Sequence, residues 1–218
     1  MLSVCILTYN EEKNIQDVID NVKNGVDEIV IVDGLSTDKT QAIAQRNNVS
    51  FFQRAMNNDY GAQRNFGIEK SKGDWIFMLD ADERCSEELI KTLKDVVKTN
   101  IYDGFTILWK NYCDNNLVEV PRKLCLFKRH CHYVDAIHEK VYGLKNPGNI
   151  KDENVFLTHY KSKEDQLHRL TKYKTIIQNN LEEARKVNNQ EKIAYYNDMM
   201  RRHLEKEMIW LNNYISVK

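Results

Sequence analysis

Short apolar runs alternate with amphipathic segments over the first hundred residues. Each run is five or six residues long and rich in β-branched or aromatic side chains, which is typical of strands buried on both faces. The predicted strands cover residues 3–8, 28–32, 50–54 and 75–79. The predicted helices cover residues 12–22, 37–47, 60–72 and 87–98, the second capped by Ser36 or Thr37. This alternation predicts an α/β fold with a parallel sheet covered by helices.

The pattern changes after residue 104. Residues 104–110 and 118–128 are predicted to form longer strands joined by a polar turn at 114–116, which indicates an antiparallel addition to the sheet. A second turn is predicted at 146–149. From residue 161 the chain is predicted to be helical, with a break at 188–190.

Apolar residues in this helical region recur at helical spacing, which predicts one buried face on each helix. The two predicted faces are Leu167, Leu170, Ile177, Leu181 and Ala184, and Ile193, Met200, Leu204, Met208 and Leu211. We therefore expect a mixed-sheet domain at residues 1–160 and a helical C-terminal extension at 161–218.

Polar residues follow three of the predicted strands directly. They occupy residues 8–11, 33–38 and 80–83. Because the carboxyl ends of parallel strands meet at one edge of a sheet, and ligands bind there, these three segments predict a shared ligand site.

Asp80 and Asp82 are the strongest candidates for metal binding. Two carboxylates directed at one point repel each other and require a cation, and Mg²⁺ or Mn²⁺ commonly combines one or two carboxylates with substrate phosphates. The alternative is an acidic turn that caps the helix starting near Ser86. The position after an apolar strand, beside two other polar strand ends, favours the metal site.

Three further residues are candidates for ligand contacts. Asp33 can accept a hydrogen bond from a planar ligand edge, or it can cap its own turn. Tyr9 can stack on a base, or pack at the sheet edge. Arg64 can pair with a phosphate or with the acids, or form a surface salt bridge.

Composition restricts the class of protein. The chain has 218 residues, with 32 basic and 32 acidic residues, so nothing in the charge favours nucleic acid as a partner. No apolar run approaches the roughly 20 residues of a membrane-spanning helix, and the first residues lack the basic segment of a secretion signal. We therefore expect a cytoplasmic protein.

The five cysteines show no pairing pattern, which is typical of reduced thiols. One stretch is rich in zinc-ligating residue types, but a structural zinc is disfavoured because these residues fall in predicted strands and loops rather than on paired turns. The residues concerned are Cys125, His130, Cys131, His132 and His138.

Four segments in order resemble the signatures of family-2 glycosyltransferases. They are residues 4–11 (VCILTYNE), 31–38 (IVDGLSTD), 64–68 (RNFGI) and 73–83 (GDWIFMLDADE). The resemblance covers about residues 1–145 and implies the GT-A fold, a Rossmann-like mixed sheet flanked by helices. It also implies inverting transfer of a sugar from a nucleotide donor, UDP-linked, with Mn²⁺ or Mg²⁺.

The resemblance assigns roles position by position. Tyr9 and Asp33 contact the nucleobase, although many relatives have two adjacent acids where this chain has Asp33 and Gly34. Thr8 and Glu11 line the same pocket. Asp80 contacts the ribose or the metal, Asp82 is the principal metal ligand, and Arg64 supports the acids.

Inverting transfer needs a base on the far side of the sugar from the metal. The candidates are Asp135, His138 and Glu139, and an ordinary strand-edge cluster is the alternative. The His138–Glu139 pair followed by a helical tail resembles bacterial lipopolysaccharide-core β-1,4-glucosyltransferases, and a similar pair occurs in peptide S-glycosyltransferases. Glu139 is therefore the preferred base, Asp135 is second, and His138 can instead approach the metal or diphosphate.

The acceptor and the role of the helical tail stay open at this point. The resemblance implies a glycan or lipid-linked glycan acceptor, with a peptide thiol or hydroxyl as the alternative. A nucleotidyltransferase is disfavoured because no Gly-rich basic loop follows the first strand. A receiver domain would be shorter, and a non-catalytic sugar-nucleotide-binding protein is a further alternative. The tail helices can pack on the domain, which is favoured, form a homodimer, or lie at the inner face of the cell membrane.

Overall fold

The computed structural model describes residues 1–99 and 101–216. The chain divides into two compact units, Met1–Lys110 with Val120–His159, and Asn111–Glu119 with Tyr160–Lys218.

The first unit is built on a large mixed sheet. Its strand order is β3-β2-β1-β4-β8-β6-β12-β5. The strands are β1 (Leu2–Thr8), β2 (Glu28–Asp33), β3 (Ser50–Gln53), β4 (Trp75–Asp80), β5 (Glu83–Cys85), β6 (Gly104–Cys113), β8 (Arg122–Lys128) and β12 (Phe156–Lys161), with β11 (Pro147–Asn149) pairing with β6. The second unit contains β7 (Asn116–Glu119), which pairs with residues 111–113 at the end of β6. A separate two-stranded sheet pairs β9 (His132–Val134) with β10 (Lys140–Tyr142).

The predicted parallel sheet is confirmed in the first half of this unit. β1 pairs in parallel with β2 and with β4, and β2 pairs in parallel with β3. All seven residues of β1 are buried because apolar side chains cover both faces of the sheet. The predicted antiparallel addition is also confirmed, since β8 runs antiparallel to both β4 and β6.

Four helices belong to the first unit. They are α1 (Ile15–Val22), α2 (Thr40–Gln45), α3 (Tyr60–Lys70) and α4 (Glu87–Val96). Helix α3 begins with a side-chain cap, in which Asp59 accepts a hydrogen bond from the Ala62 N–H at 2.8 Å. The helix lies close to β1 at Gly67, where a Cβ atom would come within 2.1 Å of the Cys5 sulfur. Glycine at 67 is therefore required for this approach.

The predicted start of α2 was wrong by three residues. Ser36 and Thr37 do not cap the helix, because their polar groups hold neighbouring loops instead. The Ser36 hydroxyl donates to Asp33 at 2.5 Å, and the Thr37 N–H donates to the Asn10 side chain at 2.8 Å. The Asp38 carboxylate accepts the Thr40 N–H at 2.9 Å at the true helix start.

The structure also differs from the prediction for one strand and one turn. The strand predicted over 118–128 is divided into β7 and β8, and Pro121, which has no N–H to donate to a neighbouring strand, lies at the break. Residues 147–149 were predicted as a turn but form β11, which pairs in parallel with the start of β6. Proline is tolerated there as the first residue of a short strand.

The second unit contains a helical hairpin and a short stretch of sheet. Its helices are α5 (Lys163–Lys186) and α6 (Gln190–Ser216), and the predicted break between them is confirmed. The Ser162 hydroxyl caps α5 by accepting the Asp165 N–H at 3.0 Å. Near the end of α6, the Tyr214 hydroxyl donates to Asp114 at 2.9 Å.

The predicted buried face of α6 was wrong. Met199, His203, Trp210 and Tyr214 are buried, whereas Met208, which lies on the predicted face, is 64% exposed. Three of the four buried residues carry polar groups, so a count of purely apolar positions misses them. The buried His203 ring, for example, has its Nε2 3.0 Å from the Leu170 carbonyl oxygen.

The predicted face of α5 is largely confirmed. Leu170, Ile177, Leu181 and Ala184 are buried, and Leu167 is 37% exposed.

No helix among the described residues is both long enough and apolar enough to cross a membrane.

Trp210→Ala should destabilise the hairpin unit by about 3–5 kcal/mol, because it removes a large buried ring. The adjacent Ile209, which is 55% exposed, provides the matched control, and Ile209→Ala should change stability by less than about 0.5 kcal/mol. Urea unfolding followed by circular dichroism checks both. Equal losses for the two variants would contradict the burial pattern of α6.

Candidate active site

The ends of three parallel strands lie side by side at one edge of the sheet. In the register of the central strand β1, Thr8 lies opposite Asp33 of β2, and Leu7 lies opposite Asp80 of β4. The structure therefore brings the three predicted polar segments to a common edge, which we call the rim.

The loops that follow β1 and β2 are tied to each other at the rim. The Asn10 backbone N–H donates to the Ser36 hydroxyl at 2.7 Å, and the Asn10 side chain accepts the Thr37 N–H. Glu11 joins the same connection, since its N–H donates to the Thr40 hydroxyl at 2.8 Å. Asn10 adopts a φ of 56°, a left-handed conformation that asparagine tolerates better than most residues. These bonds fix the two loops together.

Asp33 is fully buried and is held by the chain itself. Its carboxylate accepts hydrogen bonds from the Thr8 hydroxyl at 3.0 Å, from the Ser36 N–H and hydroxyl at 2.8 and 2.5 Å, and from the Gln53 amide at 3.2 Å. It thereby joins the ends of β1, β2 and β3. A ligand that contacts this carboxylate directly must take the place of one of these donors.

The Tyr9 ring lies at the surface of the rim, beside Gly34. The residue is 52% exposed, and a Cβ atom at position 34 would lie 3.3 Å from the Tyr9 ring. Glycine at 34 thus leaves room for the ring beside the turn. An exposed aromatic face in this position can stack on a planar ligand.

Arg64 links Asp80 to Glu139. Its Nη2 lies 2.9 Å from an Asp80 carboxylate oxygen, and its Nε donates to Glu139 at 3.1 Å. The guanidinium also lies over the Tyr133 ring, with 5.5 Å between the guanidinium carbon and the ring centroid. The third nitrogen, Nη1, is buried and has no hydrogen-bond partner among the described residues. It is therefore a donor that a ligand oxygen can satisfy.

Lys123 is a second buried cation at the rim, and the sequence reasoning missed it. Its Nζ lies 2.6 and 2.7 Å from the two carboxylate oxygens of Glu83 and 3.4 Å from Asp80. Glu83 is fully buried and also accepts the Asp80 backbone N–H at 2.9 Å. The available signal was that Lys123 directly precedes the apolar run Leu124–Phe127 of β8, because a lysine next to buried strand residues rarely lies there without a partner.

Arg64 and Lys123 favour the ionised form of the Asp80 carboxylate, which lies between them. Burial by itself would raise the pKa of Asp80, but Arg64 and Lys123 outweigh that effect and hold the pKa well below its usual range. Burial likewise opposes the charge of Arg64, yet Asp80 and Glu139 raise its pKa. Asp80 is therefore an anion at any physiological pH.

Asp82 forms a pair with His159, the second residue that the sequence reasoning missed. An Asp82 carboxylate oxygen lies 3.2 Å from His159 Nε2. The imidazole stacks on the Trp109 ring, with centroids 5.0 Å apart. The Trp109 indole nitrogen is buried without a hydrogen-bond partner among the described residues. The Asp82 carboxylate and the His159 Nε2 atom, when that nitrogen is unprotonated, are therefore close enough to ligate one cation.

The three base candidates lie between β9 and β10. Asp135 and His138 both have positive φ, 75° and 54°, so the segment is a tight, irregular turn. The turn packs on the start of α3, where the Tyr60 N–H donates to the Ala136 carbonyl at 2.8 Å. Of the three, the structure places Glu139 in contact with Arg64 and through it with Asp80.

The zinc-ligating residue types between residues 125 and 138 differ in their exposure to solvent. Cys125 and Cys131 are buried in the apolar core, whereas His130 and His132 are exposed. All five cysteines are free and buried, and burial raises the pKa of Cys131 to about 11. Within residues 1–99 and 101–216, no group of three or more His, Cys, Asp or Glu side chains is arranged to hold a metal.

Comparisons with known proteins agree with this fold. Residues 3–157 match the family described as Glycosyl transferase family 2. An uncharacterized glycosyltransferase of Rickettsia bellii is 40% identical over 104 residues, which cover 48% of this chain and 35% of that protein. The SPbeta prophage-derived glycosyltransferase SunS of Bacillus subtilis is 35% identical over 85 residues, 38% of this chain and 20% of that protein.

Among solved structures, S. aureus TarS in complex with UDP-GlcNAc superposes with a TM-score of 0.58 at 18% identity. The match covers 73% of this chain and 58% of that chain, and it concerns the fold alone.

The chain belongs to glycosyltransferase family 2, because the family match spans most of its length. The predicted GT-A fold is confirmed by the mixed sheet flanked by helices and by its similarity to TarS. The chain spans about a third of the length of the Rickettsia relative.

The charge arrangement at the rim predicts a pH-dependent loss of stability in Asp80→Asn. The ionised carboxylate compensates two cations, and its folded-state pKa lies below the unfolded value of about 4. Its contribution is therefore present above that pH and is lost as pH falls towards the folded-state pKa. Because the side chain is 32% exposed, the expected cost is only about 1–3 kcal/mol at neutral pH.

Urea unfolding at a series of pH values measures the difference between wild type and variant. The difference should be constant above about pH 5 and shrink as pH falls below about 4. Asp74→Asn is the control, since that side chain is 86% exposed. A difference for Asp80→Asn that is the same at all pH values would rule out the proposed compensation.

Proposed function

We propose that this chain is a metal-dependent glycosyltransferase that moves a sugar, with inversion, from a UDP-linked donor to a hydroxyl group of a saccharide or lipid-linked glycan. Family membership supports the reaction class. The observation that carries the proposal is the rim, where paired acids at the end of β4 adjoin the tied loops after β1 and β2. We propose residues 1–160 as the catalytic part and 161–218 as an extension.

The loops after β1 and β2 suit the nucleoside. Tyr9 offers an exposed ring for stacking on the base, next to the turn that Asp33 holds. Thr8 and Glu11 complete the pocket by fixing these loops to each other. The solved TarS structure contains UDP-GlcNAc, which supports a UDP-linked donor for the shared fold.

Asp82 and His159 fit a divalent cation that is held jointly with a diphosphate. A carboxylate and an imidazole supply two ligands, and Mg²⁺ or Mn²⁺ commonly takes the others from phosphate oxygens and water. Such a cation, when bound, neutralises charge on the departing diphosphate. Both oxygens of Asp80 already face Arg64 and Lys123, so we assign Asp82 as the main ligand and Asp80 as the neighbouring anion that positions these two cations.

Glu139 is the proposed base. Its carboxylate is nearly buried and is oriented by the Arg64 Nε, which leaves its other oxygen for the acceptor hydroxyl. When the acceptor hydroxyl oxygen attacks from that side, opposite the departing nucleoside diphosphate, the configuration at the anomeric carbon of the sugar is inverted. Arg64 contacts both Glu139 and Asp80, so it couples the position of the base to that of the acids at the end of β4.

Asp82→Ala should abolish uptake of Mn²⁺ by the protein in the presence of UDP, because it removes the main protein ligand. Electron paramagnetic resonance of free Mn²⁺ measures this uptake directly. Asp74→Ala, at an exposed site, should behave as wild type. Undiminished uptake by Asp82→Ala would show that the cation binds elsewhere.

Glu139→Gln should retain binding of the UDP-sugar in calorimetry but lose at least about 100-fold in donor turnover, the usual contribution of a general base. Asp135→Asn is the comparison, because Asp135 lies on the same turn and is the second candidate for the base. Full turnover in Glu139→Gln, with loss in Asp135→Asn, would transfer the role of base to Asp135.

A further inference from the structure

One side of α6 carries a stripe of apolar side chains that the described residues leave exposed or half-buried. Met208 is 64% exposed, Ile215 is 69% exposed and Leu204 is 39% exposed. The α6 stripe consists of Ile193, Met200, Leu204, Met208, Leu211 and Ile215. At 100° per residue all six lie within about 40° of the direction of Leu204, so they form one continuous face. This face is distinct from the buried one that contains Trp210.

The stripe has an approximate two-fold pattern centred on Leu204. Met200 and Met208 lie four positions before and after it, and Ile193 and Ile215 lie eleven positions before and after it. A two-fold interface uses the same surface on both copies, so each residue must fit its symmetry-related position. If two α6 helices cross antiparallel at Leu204, methionine faces methionine and isoleucine faces isoleucine.

The charges beside the stripe fit the same arrangement. Arg201 and Glu205 lie on one side of it and form an i,i+4 pair, with 2.6 Å between Arg201 Nη1 and Glu205 Oε1. In an antiparallel pair, the same sides of the two helices adjoin. Arg201 of one copy then lies beside Glu205 of the other, and the reciprocal contact forms as well. The arrangement therefore brings Arg201 beside Glu205 of the other copy twice, and the two arginines compensate the two Glu205 carboxylates, which also adjoin each other across the two-fold axis.

We propose that the α6 stripe binds the α6 stripe of a second copy of this chain, antiparallel and centred on Leu204, and so forms a homodimer. The inference does not depend on the proposed enzymatic function, since α6 lies outside the unit that contains the rim.

The charged residues of α6 argue against a membrane surface as the partner of the α6 stripe. Helix α6 contains four basic residues (Lys192, Arg201, Arg202 and Lys206) and four acidic residues (Glu191, Asp198, Glu205 and Glu207). Glu205 and Glu207 lie on opposite sides of the stripe, close to its apolar centre. Interfacial helices on anionic lipid instead carry lysine and arginine beside the apolar face.

Cysteine cross-linking tests both the partner and its orientation. Leu204→Cys should give a disulfide-linked dimer on mild oxidation, because a residue on the two-fold axis meets its own copy. The native thiols provide a low background, since all five are buried. Ile193→Cys alone should stay monomeric on a denaturing gel, whereas a mixture of Ile193→Cys and Ile215→Cys should cross-link.

Two cross-linking results would overturn the proposal. In one, Leu204→Cys does not cross-link although the protein is folded. In the other, Ile193→Cys cross-links with itself as efficiently as Leu204→Cys, which indicates parallel helices.

Sedimentation equilibrium tests the association without cross-linking. Wild type should be a dimer, and Leu204→Arg should be a monomer with unchanged circular dichroism. Val187→Arg is the matched control, because Val187 is 72% exposed but lies at the end of α5, outside the stripe, and this variant should remain a dimer. A monomeric wild type would overturn the proposal. If that monomer also co-sediments with phosphatidylglycerol vesicles, the stripe binds a membrane surface instead.

Discussion

Charge compensation at the end of β4 is the constraint on which the rim depends. Asp80, Glu83 and Glu139 are drawn together by two cations, Arg64 and Lys123, and most of these side chains are shielded from water. An uncompensated carboxylate in such a place would cost several kcal/mol, so each acid requires its partner. Because each cation contacts two acids, the positions of α3, β4, β8 and the β9–β10 turn are coupled at this point.

Because these elements are coupled, each acid of the rim is held next to a particular partner. The cations keep Asp80 ionised, while Asp82, the next acid along the chain, lies beside His159. The neighbouring acids therefore have separate surroundings and suit separate tasks. Two buried donors, on Arg64 and Trp109, have no partner among the described residues, and a phosphate or sugar oxygen would satisfy them.

Much of the fold was predictable from the sequence because local and long-range requirements agree there. The apolar runs in residues 3–8 and 75–79 are typical of buried strands, and both became central strands of the sheet. The start of α2 was mispredicted because Ser36 and Thr37 bind the neighbouring loop, a tertiary contact that capping rules do not include. The buried face of α6 was mispredicted because His203 and Tyr214 are amphipathic and find polar partners in the interior.

The residues of the candidate site likewise include some that could be predicted from the sequence and some that could not. Asp80, Asp82 and Asp33 follow strands directly, so their shared edge could be predicted from sequence order. Lys123 and His159 lie on β8 and β12, at least 40 and more than 70 residues from their acidic partners, and only the antiparallel part of the sheet brings them near. Sequence spacing carries no information about such pairings.

The central claim is that a nucleotide and a divalent cation bind together at the rim. Paramagnetic broadening of backbone amide signals by Mn²⁺ with UDP, against Mg²⁺ with UDP as the diamagnetic reference, measures this location directly. Broadening should be strongest for residues 80–83 and extend to residues 8–10 and 34–37. Broadening centred on the helical hairpin, or equal broadening with and without UDP, would contradict it.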